Sequence, residues 1–423
     1  QGYQVAVNDT RLLPPNLTEL QMEFPEVEVS LGQLDEPFLL RATEIITSPG
    51  ISIQEPALLS ARFNAGITII GDIELFCRST TKPIVAITGS NAKSTVTTLV
   101  GLMAEQADIC VGVGGNLGTP VLELLQPNID LYILELSSFQ LETTHSLKAA
   151  AAIVLNVSED HMDRYHGMAD YADTKARIFH GDGLMVLNRE DEWCRGMAQP
   201  ARQTVWFGLD AAASDSDYGL LRQHDELWLA RGQQALLPVS DMQLTGLHNA
   251  ANALAAMALC RAIGIDDAPI LETLRRFKGL AHRVEYVESV NGVAYYDDSK
   301  GTNVGATVAA LNGMLQPVVL IAGGDGKGQD FAPLLPAVER ICRAVVLIGR
   351  DGPLLREALS AGQVPLLDAA TMPAAVELAA AQAQSGDVVL MSPACASLDM
   401  FRNYAHRAEV FVAAVKNLPG AHA

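Results

Sequence analysis

Ile84-Val-Ala-Ile-Thr-Gly-Ser-Asn-Ala-Lys-Ser-Thr95, running on into Val96-Thr-Thr-Leu-Val-Gly-Leu-Met103, sets an apolar β-branched run against a turn and a helix-forming stretch. A buried strand, a tight turn and a helix N-terminus in that order aim several backbone N–H groups at one place, where the helix dipole favours an anion. Lys93 can neutralise β/γ-phosphate charge, and the hydroxyl of Ser94 or Thr95 can ligate Mg²⁺. The spacing departs from the common GxxxxGK[ST] pattern, because Gly89 stands only four residues before Lys93 and Ala92 replaces a glycine. Alanine fits there only if the position keeps φ below zero. The plainer reading is an ordinary strand–turn–helix with an exposed lysine.

Outward from this stretch, short apolar runs alternate with Ala/Leu-rich stretches: Pro83–Thr88, Leu131–Leu134, Ala151–Leu155, Val318–Ala322, Ala344–Ile348 and Asp387–Met391. Continuous apolar strands belong to parallel sheets covered on both faces. The alternation predicts doubly wound α/β domains. Residues 202–240, with Trp206-Phe207 and Trp228 among polar turns, read as a small antiparallel excursion. At 423 residues the chain needs more than one core,. Breaks near residue 75, before the phosphate-loop strand, and near residue 279, before Ala281-His282-Arg283, give units of 1–75, 76–279 and 280–423. At the start, Tyr3–Val7 followed by Asn8-Asp9 resembles a second Rossmann strand ending in an acidic residue. A first strand, glycine-rich turn and helix of about 20–30 residues are expected before it, so the first unit reads as an incomplete Rossmann-like domain.

A formal charge of −20, without a Lys/Arg block, argues against nucleic acid as a partner,. No apolar run reaches the roughly 18 residues of a membrane helix, and Gln1–Leu20 lacks the pattern of a signal peptide,. Six scattered cysteines, none in a CxxC pair, suit a reducing cytoplasm and argue against a zinc site,.

Glu135 follows the run Leu131–Leu134, at a strand end suited to a nucleotide's Mg²⁺,. His161 lies just beyond Ala151–Leu155; alone it reads as a structural histidine, and beside Glu135 and Lys93 it reads as a metal ligand. Asp160, Asp163 and Arg164 read equally as site residues or as a solvated, self-paired loop. Lys175, by itself, is an exposed helix lysine.

Together these residues resemble the Mur ligases of peptidoglycan synthesis. The segments that carry the resemblance run from Asp9-Thr-Arg11 to Arg407. They include Thr47-Ser-Pro-Gly50, Gly89–Thr95, Gly114-Gly-Asn-Leu-Gly118, Leu134–Glu142, Asn156–Tyr165, Gly246-Leu-His-Asn-Ala-Ala-Asn252 and Ala281-His-Arg283. Asp298-Ser-Lys-Gly-Thr-Asn303, Gly323-Gly-Asp-Gly-Lys327 and Ser392-Pro-Ala-Cys-Ala-Ser-Leu-Asp399 complete the set. The first and last of these three favour the D-glutamate-adding branch.

The resemblance implies an N-terminal Rossmann-like domain for the UDP end, a central P-loop-type domain for ATP and a C-terminal Rossmann-like domain for the amino acid. It implies a monomeric, cytoplasmic, ATP-dependent ligase that adds D-glutamate to UDP-N-acetylmuramoyl-L-alanine through an acyl phosphate. It implies that Gly89, Ser90, Asn91, Ala92, Lys93, Ser94 and Thr95 hold phosphates. Asn249 and Asn252 would then meet adenine, and Arg283 and Asp298 the ribose and phosphates. Ser94, Glu135 and His161 would hold Mg²⁺, with a carbamylated Lys175 serving a second metal. Asp9, Thr10, Ser48 and Asn116 would contact the UDP-sugar. Lys300, Thr302, Lys327 and Ser397 would grip D-glutamate, with Tyr404 beside them. Ala92, Gly301, Tyr404 and Ala408 depart from the family's usual residues and are expected to be tolerated. Two alternatives stand beside this reading: a folate or poly-amino-acid ligase of the same superfamily, and a nucleotide-binding protein without turnover.

Overall fold

Four sheets organise the described residues, 2–244 and 246–421 of the computed structural model. Near the N-terminus β1 (Ala6–Asp9) pairs in parallel with β2 (Glu28–Leu31), and β3 (Glu44–Ile46) with β4 (Thr68–Ile70). These are two separate pairs rather than one Rossmann sheet. Only the second has a compact apolar backing, from Leu39, Ile45, Leu58, Ala61, Ile67 and Ile69.

The next sheet is built from β5 (Ile84–Thr88), β6 (Val111–Gly115), β7 (Leu131–Glu135), β8 (Ala151–Val154), β9 (Leu184–Asn188) and β10 (Thr204–Phe207). It continues through β11 (Tyr218–Gln223), β12 (Glu226–Arg231) and β13 (Gln234–Pro238), in the order β13-β12-β11-β10-β9-β8-β5-β7-β6. Every residue of β5, β7 and β8 is buried, as continuous apolar runs require,. Side chains of β5 alternate between two cores: Val85 and Ile87 face one, Ile84 and Ala86 the other,. The first core is closed by Leu99 and Met103 of the helix Lys93–Gln106 and by the alanine-rich helix Leu247–Ala262. The expected excursion over 202–240 is antiparallel only from β11 onward. β10 pairs in parallel with β9, so the segment extends the main sheet instead of standing apart.

The third sheet holds β14 (Glu285–Val290), β15 (Val293–Asp297), β16 (Val318–Gly323), β17 (Cys342–Ile348), β18 (Leu366–Asp368) and β19 (Val388–Met391), ordered β14-β15-β19-β16-β17-β18. It is parallel except for the β14–β15 hairpin, whose turn residues Asn291 and Gly292 both have positive φ,. Open α/β sheets bind ligands beyond the carboxyl ends of their strands. Here those ends carry Gly89, Glu135 and Asn156 on one sheet and Asp298, Gly324 and Ser392 on the other. The two edges meet, because Arg283 reaches Ser94 and Lys327 pairs with Asp160. Among the described residues no helix is long and apolar enough to cross a membrane.

Candidate active site

The turn after β5 is held by its neighbour across the sheet. Ser90 N donates to Asn156 O at 2.9 Å, and Asn91 N donates to Asn156 Oδ1 at 2.8 Å. Ser90 Oγ donates to Ser158 O at 2.8 Å and accepts from Ser158 N at 2.9 Å. These bonds override the preference of residue 92. Ala92 has φ 66, so the condition of a negative φ fails. The left-handed conformation costs an alanine about 1–2 kcal/mol, which the surrounding hydrogen bonds offset.

Two lysines converge on this turn. Lys93 Nζ donates to Gly89 O at 2.8 Å and Ser90 O at 2.9 Å, while Lys175 Nζ donates to Gly89 O at 3.0 Å. Lys175 is buried, with 1% exposure, rather than an exposed helix lysine. Burial, and then the Lys93 charge, push its ammonium well below the usual lysine range,. Burial lowers Lys93 as well, against the pull of Glu135 and Asp160. Cations pinned by carbonyl oxygens keep a field suited to phosphate.

Glu135, at the end of β7, is 2% exposed. Its Oε1 accepts from Asn116 Nδ2 at 2.7 Å, while Oε2 is buried without a hydrogen-bond partner among the described residues. Such an oxygen is a donor that suits a cation. His161 takes a left-handed φ of 58 after β8, and its ring lies 4.7 Å from that of Phe139. Burial brings its imidazole down to about 4, against the pull of Asp160 and helped by the charges of Lys327, Lys93 and Lys175. A neutral imidazole is the ligating form. Lys93, Glu135 and His161 therefore share one electrostatic neighbourhood.

The facing edge adds more cations. Arg283 lies between the left-handed residues His282 and Val284. It brings Nη2 to 3.5 Å from Ser94 Oγ and leaves Nε buried and unpartnered among the described residues. Asp298 accepts from Ser392 Oγ at 2.7 Å, and burial pushes its carboxyl up to about 7 despite Arg283. Lys300 Nζ sits 5.3 Å from the centre of the Tyr404 ring, with its ammonium lowered by burial and then by Arg283. Thr302 is half-buried and Ser397 is buried, both on loops of this edge. Asn252 Nδ2 donates to Asn249 Oδ1 at 3.2 Å in the first turns of the helix Leu247–Ala262. A methyl on Gly301 would meet Asp298 Oδ2 at 2.5 Å, so glycine suits this chain's packing where alanine is usual. Ala408 is fully buried.

Of the residues expected on the UDP-sugar, Asn116 bonds directly to this cluster, giving an amide hydrogen to Glu135. Asp9 is tied to Arg11 at 2.6 Å, which holds its carboxyl at about 2, and Thr10 and Ser48 are exposed. The acidic loop resolves into distinct parts: Asp160 is buried against Lys327, Arg164 pairs with Glu142 at 2.7 Å, and Asp163 is exposed. Sequence reasoning gave no role to Asn303, which bonds Asp160, or to Phe139, whose ring centre is 4.7 Å from the His161 ring and 4.5 Å from the Arg164 guanidinium. It also gave no role to Arg407, fully buried and bonded to the carbonyls of Ser299 and Cys395. All three stand in or at the end of the segments that carry the family resemblance, which was the signal available for them.

Three family models match the chain in order: the Mur ligase MurD-like N-terminal domain over residues 1–71, the Mur ligase middle domain over 87–260, and the Mur ligase glutamate ligase domain over 282–395. A UDP-N-acetylmuramoylalanine–D-glutamate ligase of Methylobacillus flagellatus is 54% identical over 420 residues, covering 99% of this chain and 92% of the relative. Its namesake in Pseudomonas aeruginosa is 52% identical over 422 residues, covering 99% and 94%. Among solved structures, UDP-N-acetylmuramate-alanine ligase MurC of Thermotoga maritima aligns with a TM-score of 0.62 at 19% identity, over 93% of this chain and 90% of that one. FolC of E. coli, solved with ADP, aligns at 0.61 and 16% identity, over 82% and 94%. At such identities these two likenesses concern fold alone. With three family models matched and relatives more than half identical along nearly the whole length, the chain belongs to the Mur ligase family, on the branch of UDP-N-acetylmuramoylalanine–D-glutamate ligases.

Proposed function

We propose that the two facing strand edges join D-glutamate to the terminal carboxylate of UDP-N-acetylmuramoyl-L-alanine, using ATP, in the synthesis of peptidoglycan precursor. A carboxylate is a poor electrophile. One of its oxygens takes the γ-phosphoryl group, releasing ADP and leaving an acyl phosphate. The amine nitrogen of D-glutamate then attacks the acyl carbon. The tetrahedral adduct expels phosphate, and the nitrogen gives up a proton. Carboxylate and triphosphate are both anions, so cations must gather where they meet.

The observation that carries this reading is the gathering of Lys93, Lys175 and Arg283 around Gly89 and Ser94, with Lys300 and Lys327 on the facing edge. In this reading the turn Gly89–Thr95 and Lys93 take the phosphates, with Asn249 and Asn252 at the adenine and Arg283 and Asp298 beside the ribose and phosphates. Ser94, Glu135 and His161 would hold Mg²⁺, for which the unpartnered Glu135 Oε2 is a fitting donor. When bound, the ion would screen phosphate charge and polarise the transferred group. The lowered pKa of Lys175 favours its neutral amine, the form that adds CO₂: the nitrogen lone pair would bond to carbon, a proton would leave, and the resulting carbamate could serve a second ion. Asp9, Thr10, Ser48 and Asn116 would face the UDP-sugar. Lys300, Thr302, Lys327, Ser397 and Tyr404 would form the D-glutamate pocket. The units divide near residues 75 and 279. The protein works as a monomer in the cytoplasm, where its six free thiols remain reduced,.

Phosphate release with UDP-N-acetylmuramoyl-L-alanine, ATP and Mg²⁺ tests the reading. Release should require D-glutamate and be absent with L-glutamate or a folate acceptor; equal rates with L-glutamate would reject it.

A further inference from the structure

We infer that Asp160 is a positioning residue for the amide-forming half of the reaction, fixing the Lys327 ammonium and fastening the facing edge to the phosphate-loop edge. This rests on the reading of Lys327 as a grip for the amino-acid carboxylate. Asp160 is 6% exposed, on the loop after β8. One carboxylate oxygen pairs with Lys327 Nζ, and the other accepts from Asn303 Nδ2 at 3.3 Å. These two partners belong to the facing edge, while His161 Nε2, on Asp160's own loop, lies 3.6 Å from the second oxygen. Asn303 caps the helix Val304–Gly313 through Oδ1, which accepts from Ala306 N at 2.9 Å, and Lys327 ends the turn after β16.

The surrounding contacts show that the fit is built. Asp330 N donates to Glu159 Oε2 at 2.9 Å. A methyl on Gly305 would come within 2.9 Å of Ser158 Oγ, and one on Gly328 within 3.6 Å of Asp163 N. The 158–163 loop is thus seated between the two loops that carry Asn303 and Lys327. Lys327 leaves a left-handed backbone, φ 53, whose N–H donates to Asp325 Oδ1 at 3.0 Å.

An ammonium has three donors. Asp160 is the acceptor that Lys327 Nζ meets among the described residues, which leaves donors for a substrate carboxylate. A flexible lysine stem would otherwise have to be ordered by the substrate itself. Asp160 acts through Lys327 and meets none of the reacting atoms.

Four variants of the chain are compared: D160N, N303D, K327M and D160N/K327M. Measured are KM for D-glutamate, ATP and the UDP-sugar, kcat, Tm and the radius of gyration by X-ray scattering. N303D keeps the helix cap and sets a second carboxylate against Asp160. D160N should raise KM for D-glutamate on the order of tenfold, with KM for ATP and Tm unchanged and a larger radius of gyration. N303D should move the same quantities the same way, by less. D160N should add nothing to K327M. An unchanged KM for D-glutamate, a rise shared by all three substrates, or additive effects of D160N and K327M would each overturn the inference. A wild-type protein without D-glutamate-dependent phosphate release would reject the functional reading instead. The fastening would then stand or fall on whether D160N enlarges the particle.

Discussion

Two turns follow buried parallel strands in this molecule and end in a lysine, Gly89–Lys93 after β5 and Gly323–Lys327 after β16, and they are completed differently. Lys93 gives its hydrogens to carbonyls of its own turn. Lys327 gives one to a carboxylate on the other sheet's edge. The first turn is finished by its own sheet. The second is finished only when the two edges meet. Their leading glycines do not share that division, because each is crowded from within its own sheet. A methyl on Gly89 would find its nearest contact at 3.0 Å on a side chain, whereas one on Gly323 would strike Ile348 O at 1.9 Å. The Gly89–Lys93 turn is preorganised locally, and the Lys327 side chain depends on docking.

Three variants probe this contrast, in falling order of effect. Lys93→Met removes the cation of the self-contained turn and should lower kcat for phosphate release by roughly 10²–10³ with Tm little changed. A drop smaller than that of Lys327→Met would reverse the ranking of the two turns. Asp298→Asn probes the docked side through pH. An ordinary aspartate ionises near 3.8, while Asp298 in the fold holds its proton up to about 7. Between those values the folded chain binds more protons than the unfolded one, so stability falls as pH rises, and the penalty is complete above that window. The Asn variant should lose this slope; an identical Tm–pH curve would show that Asp298 carries no such penalty. Ala92→Gly relieves a left-handed alanine and should add at most about 1 kcal/mol to urea unfolding, less what the methyl contributes to packing. Lower stability would mean that packing outweighs backbone strain at this turn.

The sequence made β5, β7, β8, β16, β17 and β19 legible because each is buried on both faces and so needs an unbroken apolar run,. Lys93 was legible through motif spacing, and Lys175 and Arg283 only through the family resemblance. Three features were not. The sign of φ at Ala92 depends on hydrogen bonds to Asn156, far along the chain. The partner of Lys327 is set by docking, since a loop carrying Glu159, Asp160 and Asp163 offers several carboxylates. The parallel pairing of β10 rests on a four-residue strand whose neighbours are polar turns, so nothing local distinguishes it from the antiparallel strands that follow.

The position of β5 has a consequence for biosynthesis. It is the earliest strand of its sheet to leave the ribosome, yet it lies between β7 and β8, whose residues, Leu131–Glu135 and Ala151–Val154, emerge much later. Until both have been translated, an entirely apolar segment has neither neighbour, and its exposed backbone invites pairing with other nascent chains. The strand that carries the Gly89–Lys93 turn is therefore unpaired in its sheet until the chain has been made as far as β8.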